Sequence, residues 1–230
     1  MPMMKRFSAL VCASWLLGTT PAGAQQVDVE EVMLDNGMTV LLLPRPGDPN
    51  VSAGWVAKVG SVYERPGITG VAHLFEHMMF KGTSTIGTIN IEQDLQLIAQ
   101  LDQVKAQMRV EEAALLEAHR LGRIEDPADP SLRTPEHQSL IERFDVLLEE
   151  QSELIIKEDF SRLYSGQGAS GMNAGTSYDY TIYFVNVPAN KLELWFWMES
   201  DRLLNPVFRE FYSEREVVHE ERRLRTDSTP

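Results

Sequence analysis

The chain has 230 residues, 43% of them hydrophobic and 24% charged, which is enough for a substantial core in an ordinary globular domain. Its formal net charge of -13 excludes nucleic acid as a partner, since that would need a basic face. Cys12 is the only cysteine, which excludes an internal disulfide; it lies in a segment expected to be removed, so no thiol is left to ligate a metal.

Residues 1-24 read as a secretory signal. Lys5 and Arg6 precede the apolar run Phe7 to Leu17, and Ala22-Gly23-Ala24 is a small-x-small cleavage site. A membrane anchor is the weaker reading, because the apolar run falls short of the roughly 20 residues that span a bilayer. No small-residue lipobox directly precedes Cys12, so a lipoprotein is not expected. The mature domain is expected to run over 25-230, exported to the periplasm, with secretion as the alternative, and with no transmembrane anchor after signal removal.

Two β-rich runs, Val32 to Leu34 and Met38 to Leu43, flank Asp35-Asn36-Gly37, whose residues tolerate the positive φ of a tight turn. They predict a hairpin. Val51 to Val59 predicts a further strand, and Gly60 to Gly67 a turn-rich connection. Thr69 is the expected N-cap of a helix through Gly70 to Phe80, and Gly82 its expected left-handed terminator.

That helix carries His73, Glu76 and His77 within an otherwise apolar run. Burying such groups without partners costs about 1–3 kcal/mol each, and more for a charge. On a helix, residues four apart share a face, so one cation could touch both imidazoles with Glu76 beside them. His-x-x-Glu-His is the inverse of the usual zinc-protease helix motif and serves the same chemistry.

From Asn90 to about Ser165 the β character disappears. Leu97, Leu101, Val104 and Met108 recur at helical spacing, as do Leu140, Phe144, Leu147 and Leu154, and Asp126 to Pro130 interrupts them with two prolines. The pattern predicts an inserted helical hairpin over about 91-165. His119 and His137 flank the break and read as solvated loop histidines rather than ligands. Gln167 to Asn173 and Thr181 to Val187 then predict a strand pair. Lys191 to Leu204 predicts an apolar helix whose aromatics, Trp195 and Trp197 among them, belong to the core. In the last helix, Glu210 to Arg225, the stripe Phe211, Glu214, Val217/Val218, Glu221, Leu224 places two acids where apolar residues belong. Those acids call for a cation, unless the segment is simply a charged surface helix. His219 points away from that stripe.

The runs His73 to Thr83, Asn173 to Tyr183 and Glu214 to Glu221 together resemble the insulinase/pitrilysin family of zinc metallopeptidases, to which the mitochondrial processing peptidase belongs. The resemblance implies an α+β fold, an αβ-roll with a mixed or antiparallel sheet packed on helices, here interrupted by the helical hairpin. It implies that His73, His77 and Glu221 hold Zn2+, that Glu76 is the catalytic base, and that Glu214 is a supporting catalytic acid on the same face as Glu221. Asn173 and Ala174 match the edge strand along which a substrate peptide lies. The implied activity is peptide-bond hydrolysis by a metal-bound water, on peptide or unfolded protein substrates, with a second homologous domain or subunit completing the site. Manganese or cobalt would also suit two imidazoles and a carboxylate. The rival expectations are a catalytically incomplete relative acting as a subunit, and a periplasmic binding or scaffold module. The interval from His77 to Glu221 is about twice the family's usual one, and the helical hairpin accounts for the excess.

Overall fold

The computed structural model describes residues 27–224, so the signal reading over 1-24 lies outside the described residues. Two compact units are present, one ending at Gly47 and the other starting at Asp48. In the first, β1 (Glu30–Met33) and β2 (Thr39–Leu42) pair antiparallel as the expected hairpin. Gly37 at φ 84° makes the turn, with its N–H on the Leu34 carbonyl at 2.9 Å, and Asn36 Oδ1 accepts the Met38 N–H at 3.0 Å.

The second unit is built on a three-stranded antiparallel sheet in the order β3 (Asn50–Ala57), β5 (Thr181–Pro188), β4 (Ser170–Thr176). In β5 the period-2 alternation is visible in burial: Thr181, Tyr183, Val185 and Val187 are buried, whereas Phe184 and Asn186 are exposed. Val185 and Val187 meet Phe160 and Tyr164 of α4 (Asp159–Gly166), Met198 of α5 (Leu192–Leu204), and Ile86. Full burial of an aliphatic side chain such as Val187 contributes about 1.5–3 kcal/mol. The chain is thus α+β, with helices packed on an antiparallel sheet. The aromatics of α5 divide, contrary to the sequence expectation. Trp195 packs on the core, but Trp197 is half-exposed and Phe196 more so. Adjacent residues on a helix point about 100° apart, so one face cannot bury all three.

The inserted helices are α2 (Ile91–Arg120) and α3 (Pro135–Ser152). Asn90 Oδ1 caps the first by accepting the Gln93 N–H at 3.2 Å, and the Thr134 hydroxyl caps the second from the His137 N–H at 3.0 Å. Their seam buries Leu97, Leu101, Leu147 and Leu154 with Val104 and Phe144 against them, as the spacing predicts. The helical pattern breaks again after Ser152, and Phe160 and Tyr164 of α4 belong to the sheet core rather than to this seam. Nor is His137 a solvated loop residue: it lies in the first turn of α3 with its ring buried.

A buried ion pair joins the start of α2 to the other end of the unit. Asp94 and Arg209 are both fully buried and in direct contact, and Gln151 Nε2 donates to Asp94 Oδ1 at 3.1 Å. Asp94→Ala would strand the Arg209 guanidinium without its counter-ion, at an expected cost of about 3–5 kcal/mol. Urea denaturation of the variant measures it, and a loss below about 1 kcal/mol would contradict the pairing.

Candidate metal centre

α1 (Val71–Met78) carries His73, Glu76 and His77. It begins one residue later than the sequence suggests, because Gly70 at φ 96°, not Thr69, is the N-cap. Capping is supplied from a distance: the Glu64 carboxylate accepts the Gly70 N–H at 2.8 Å and the Ala72 N–H at 2.9 Å. A carboxylate there also meets the positive end of the helix dipole. At the other end α1 stops at Met78, so Gly82 is not its terminator. Gly82 sits at φ 106°, where a Cβ would lie 2.2 Å from the Ile86 carbonyl oxygen. Close backbone approach, rather than helix capping, requires glycine there.

α6 (Phe211–Arg222) packs against α1 and brings Glu214 and Glu221 to it. His73 Nε2 lies 3.2 Å from His77 Nε2 and 3.7 Å from a Glu221 carboxylate oxygen. One ligand atom from each of the three residues falls within 4.8 Å of the others. Two nitrogens bound to one tetrahedral ion at about 2.0–2.1 Å would stand about 3.3 Å apart, so the donor set fits a single zinc-sized cation.

His77 Nδ1 is 2.8 Å from Glu214 Oε1. That contact assigns the proton to Nδ1, donated to the carboxylate, and leaves the Nε2 lone pair facing His73. The hydrogen bond from His77 is the main reason the Glu214 carboxyl is held down at about 2; Lys81 assists and burial opposes. The same bond raises the His77 imidazole above its ordinary value. Glu214 is therefore ionised throughout the neutral range, with the Lys81 ammonium and the His77 Nδ1–H already on its two oxygens. His219 is exposed on the opposite side of α6, as the stripe indicates.

Glu76 is buried, and its Oε2 accepts the Thr176 hydroxyl of β4 at 2.5 Å. Thr176 falls within the run Asn173 to Tyr183 that the sequence singles out, but the sequence does not reveal this contact, since the partners are 100 positions apart. The available signal is the strand period, which puts Thr176 on the same face as Ala174. β4 is an edge strand of the sheet, with an irregularity between Ser170 and Asn173. Asn173 and Ala174 line a cleft of about 550 Å³ together with Glu76, His77, Met172 and Glu214. The late segment of the insertion, Ile155 to Ser161, forms another wall of the same cleft.

Comparison with known proteins agrees with this arrangement. The family model described as insulinase (peptidase family M16) matches residues 39–114. An uncharacterized zinc protease of Rickettsia bellii (strain RML369-C) is 52% identical over 52 residues, 23% of this chain and 13% of the relative. Zinc protease PqqE of Helicobacter pylori (strain ATCC 700392 / 26695) is 27% identical over 204 residues, 87% of this chain and 30% of the relative. Among solved structures, a protease from Helicobacter pylori superposes with a TM-score of 0.52 at 23% identity, over 88% of this chain and 33% of the other, a likeness of fold. The match to each of these relatives spans no more than about a third of the relative's length. A His-x-x-Glu-His helix faces a glutamate-bearing second helix, the family match falls around that motif, and the relatives it resembles are named zinc proteases: over residues 39–114 the chain is similar to the insulinase (peptidase family M16) family.

Proposed function

We propose that this chain supplies the metal-binding half of a zinc-dependent endopeptidase or oligopeptidase. The observation that carries the reading is the convergence of His73 Nε2, His77 Nε2 and a Glu221 oxygen within 4.8 Å, beside a buried Glu76. His73, His77 and Glu221 would hold the ion, and Glu214 orients His77 through its Nδ1–H. Bound zinc supplies Lewis-acid polarisation of a carbonyl and lowers the pKa of a water.

The rest is the work of the chain's own side chains. Thr176 fixes Oε2 of Glu76, leaving Oε1 to take the proton of the attacking water. As the oxygen bonds to the peptide carbon and the C–N bond breaks, Glu76 returns that proton to the departing amine. An extended substrate would add along β4 beside Asn173 and Ala174, where backbone hydrogen bonds give sequence-tolerant affinity.

The domain reading is part of the same proposal: a signal over 1-24, a metallopeptidase domain over 25-230 with its insertion at about 91-165, and a second homologous domain or subunit that completes the cleft. Export to the periplasm follows from the signal reading. Among the described residues, no helix is long and apolar enough to cross a membrane.

Zinc content and cleavage of a quenched peptide, with and without chelator, test the function in the full-length protein. Expected are one zinc per chain and cleavage that chelation abolishes and zinc restores. Bound zinc with no cleavage of any peptide would favour the binding or scaffold alternative. Cleavage indifferent to chelator would overturn the proposal.

A further inference from the structure

Lys81 lies outside the ligand set and outside the proton transfer, yet its side chain bridges the two helices that make the site. Its Nζ is 2.5 Å from Glu214 Oε2 and 3.3 Å from Glu210 Oε2. Glu210 is the N-cap of α6, in the left-handed region at φ 53°, and Glu214 lies one turn inside that helix.

The backbone that presents Lys81 is braced. Its carbonyl accepts from Arg209 Nη1 at 3.3 Å, and the next carbonyl, that of Gly82, accepts the Val207 N–H at 3.1 Å. Arg209 also donates to the carbonyls of Thr83 at 2.7 Å and Ile86 at 3.1 Å, and it is anchored on Asp94. The loop after α1 and the loop before α6 are thereby laced together, with the ammonium projecting toward the first turn of α6. Without that charge, Glu210 and Glu214 would face each other and the acids of the site with repulsion only partly offset by His77.

We infer that Lys81 is a positioning residue of the metal centre. By holding Glu210 and Glu214 it fixes the start of α6 against α1. That orients His77 through Glu214 and keeps Glu221, two turns further along the same helix, within reach of His73. The inference rests on the zinc-site reading above.

The test is zinc affinity, measured on the full-length protein by competition with a chromophoric chelator. It is accompanied by the visible spectrum of the cobalt-loaded protein and by the thermal midpoint of the metal-free form. Lys81→Met is expected to weaken zinc binding about 10- to 100-fold, the usual effect of removing a group that orients a ligand, and to alter the cobalt bands. Its metal-free midpoint should move little. Lys81→Arg, which keeps the charge, should recover affinity to within about threefold. If Lys81→Met fails to fold, Lys81→Gln decides on the same criteria. Parent-like affinity and an unchanged cobalt spectrum in the neutral variant would overturn the inference, leaving the zinc site intact. A parent protein that takes up no zinc would instead overturn the site reading beneath it.

Discussion

Glu76→Gln is expected to reduce peptide hydrolysis in the full-length protein by about 10²- to 10⁴-fold while leaving zinc stoichiometry at the parent level. The substitution is nearly isosteric, and the amide oxygen can still accept the Thr176 hydroxyl that now meets Oε2 at 2.5 Å. What it removes is a carboxylate able to take up a proton and release it. Burial sharpens the contrast, since few waters can substitute for a buried base. Steady-state cleavage of a quenched peptide beside metal analysis separates the two effects. Parent-like turnover in the variant would show that Glu76 is not the base.

His77→Ala is expected to be more damaging still. It deletes the Nε2 donor that stands 3.2 Å from His73 Nε2, and it leaves Glu214 without the imidazole N–H it accepts at 2.8 Å. Stoichiometric zinc should be lost, and hydrolysis should fall with it to background. Glu221→Gln should follow the same course to a lesser degree, because a neutral amide oxygen is a poorer ligand than a carboxylate. Equilibrium dialysis against zinc measures both. Retention of one tightly held zinc by the His77 variant would mean that the ion sits elsewhere.

Much of this site was legible in the sequence, for reasons of local geometry. His73 and His77 are one helical turn apart, so their shared face follows from the helix alone. Glu214 and Glu221, two turns apart, share a stripe that would otherwise be apolar, which flagged them before any partner was known. The helical seam of Leu97, Leu101 and Leu147 is visible for the same reason, as a period rather than as a fold. The remainder depends on tertiary contacts that no local pattern encodes. Lys81 and Glu214, Thr176 and Glu76, and Arg209 and Asp94 are each a hundred positions apart or more and meet only because the sheet, α1, α2 and α6 come together. Gly82 shows the same limit: a glycine after a helix suggests a terminator, while the reason for it is the Ile86 carbonyl that folds back against it. Trp197 shows it from the other side, since hydrophobicity alone does not say which aromatic of α5 meets the core.

The most direct test of the whole account is a crystal structure of the zinc-loaded protein, with anomalous scattering recorded at the zinc edge. One peak is expected, with Nε2 of His73 and of His77 at about 2.0–2.1 Å and a Glu221 oxygen at about 2.0–2.2 Å. A zinc ion whose ligands do not include Glu221, or whose peak lies away from the pair of imidazoles, would contradict it.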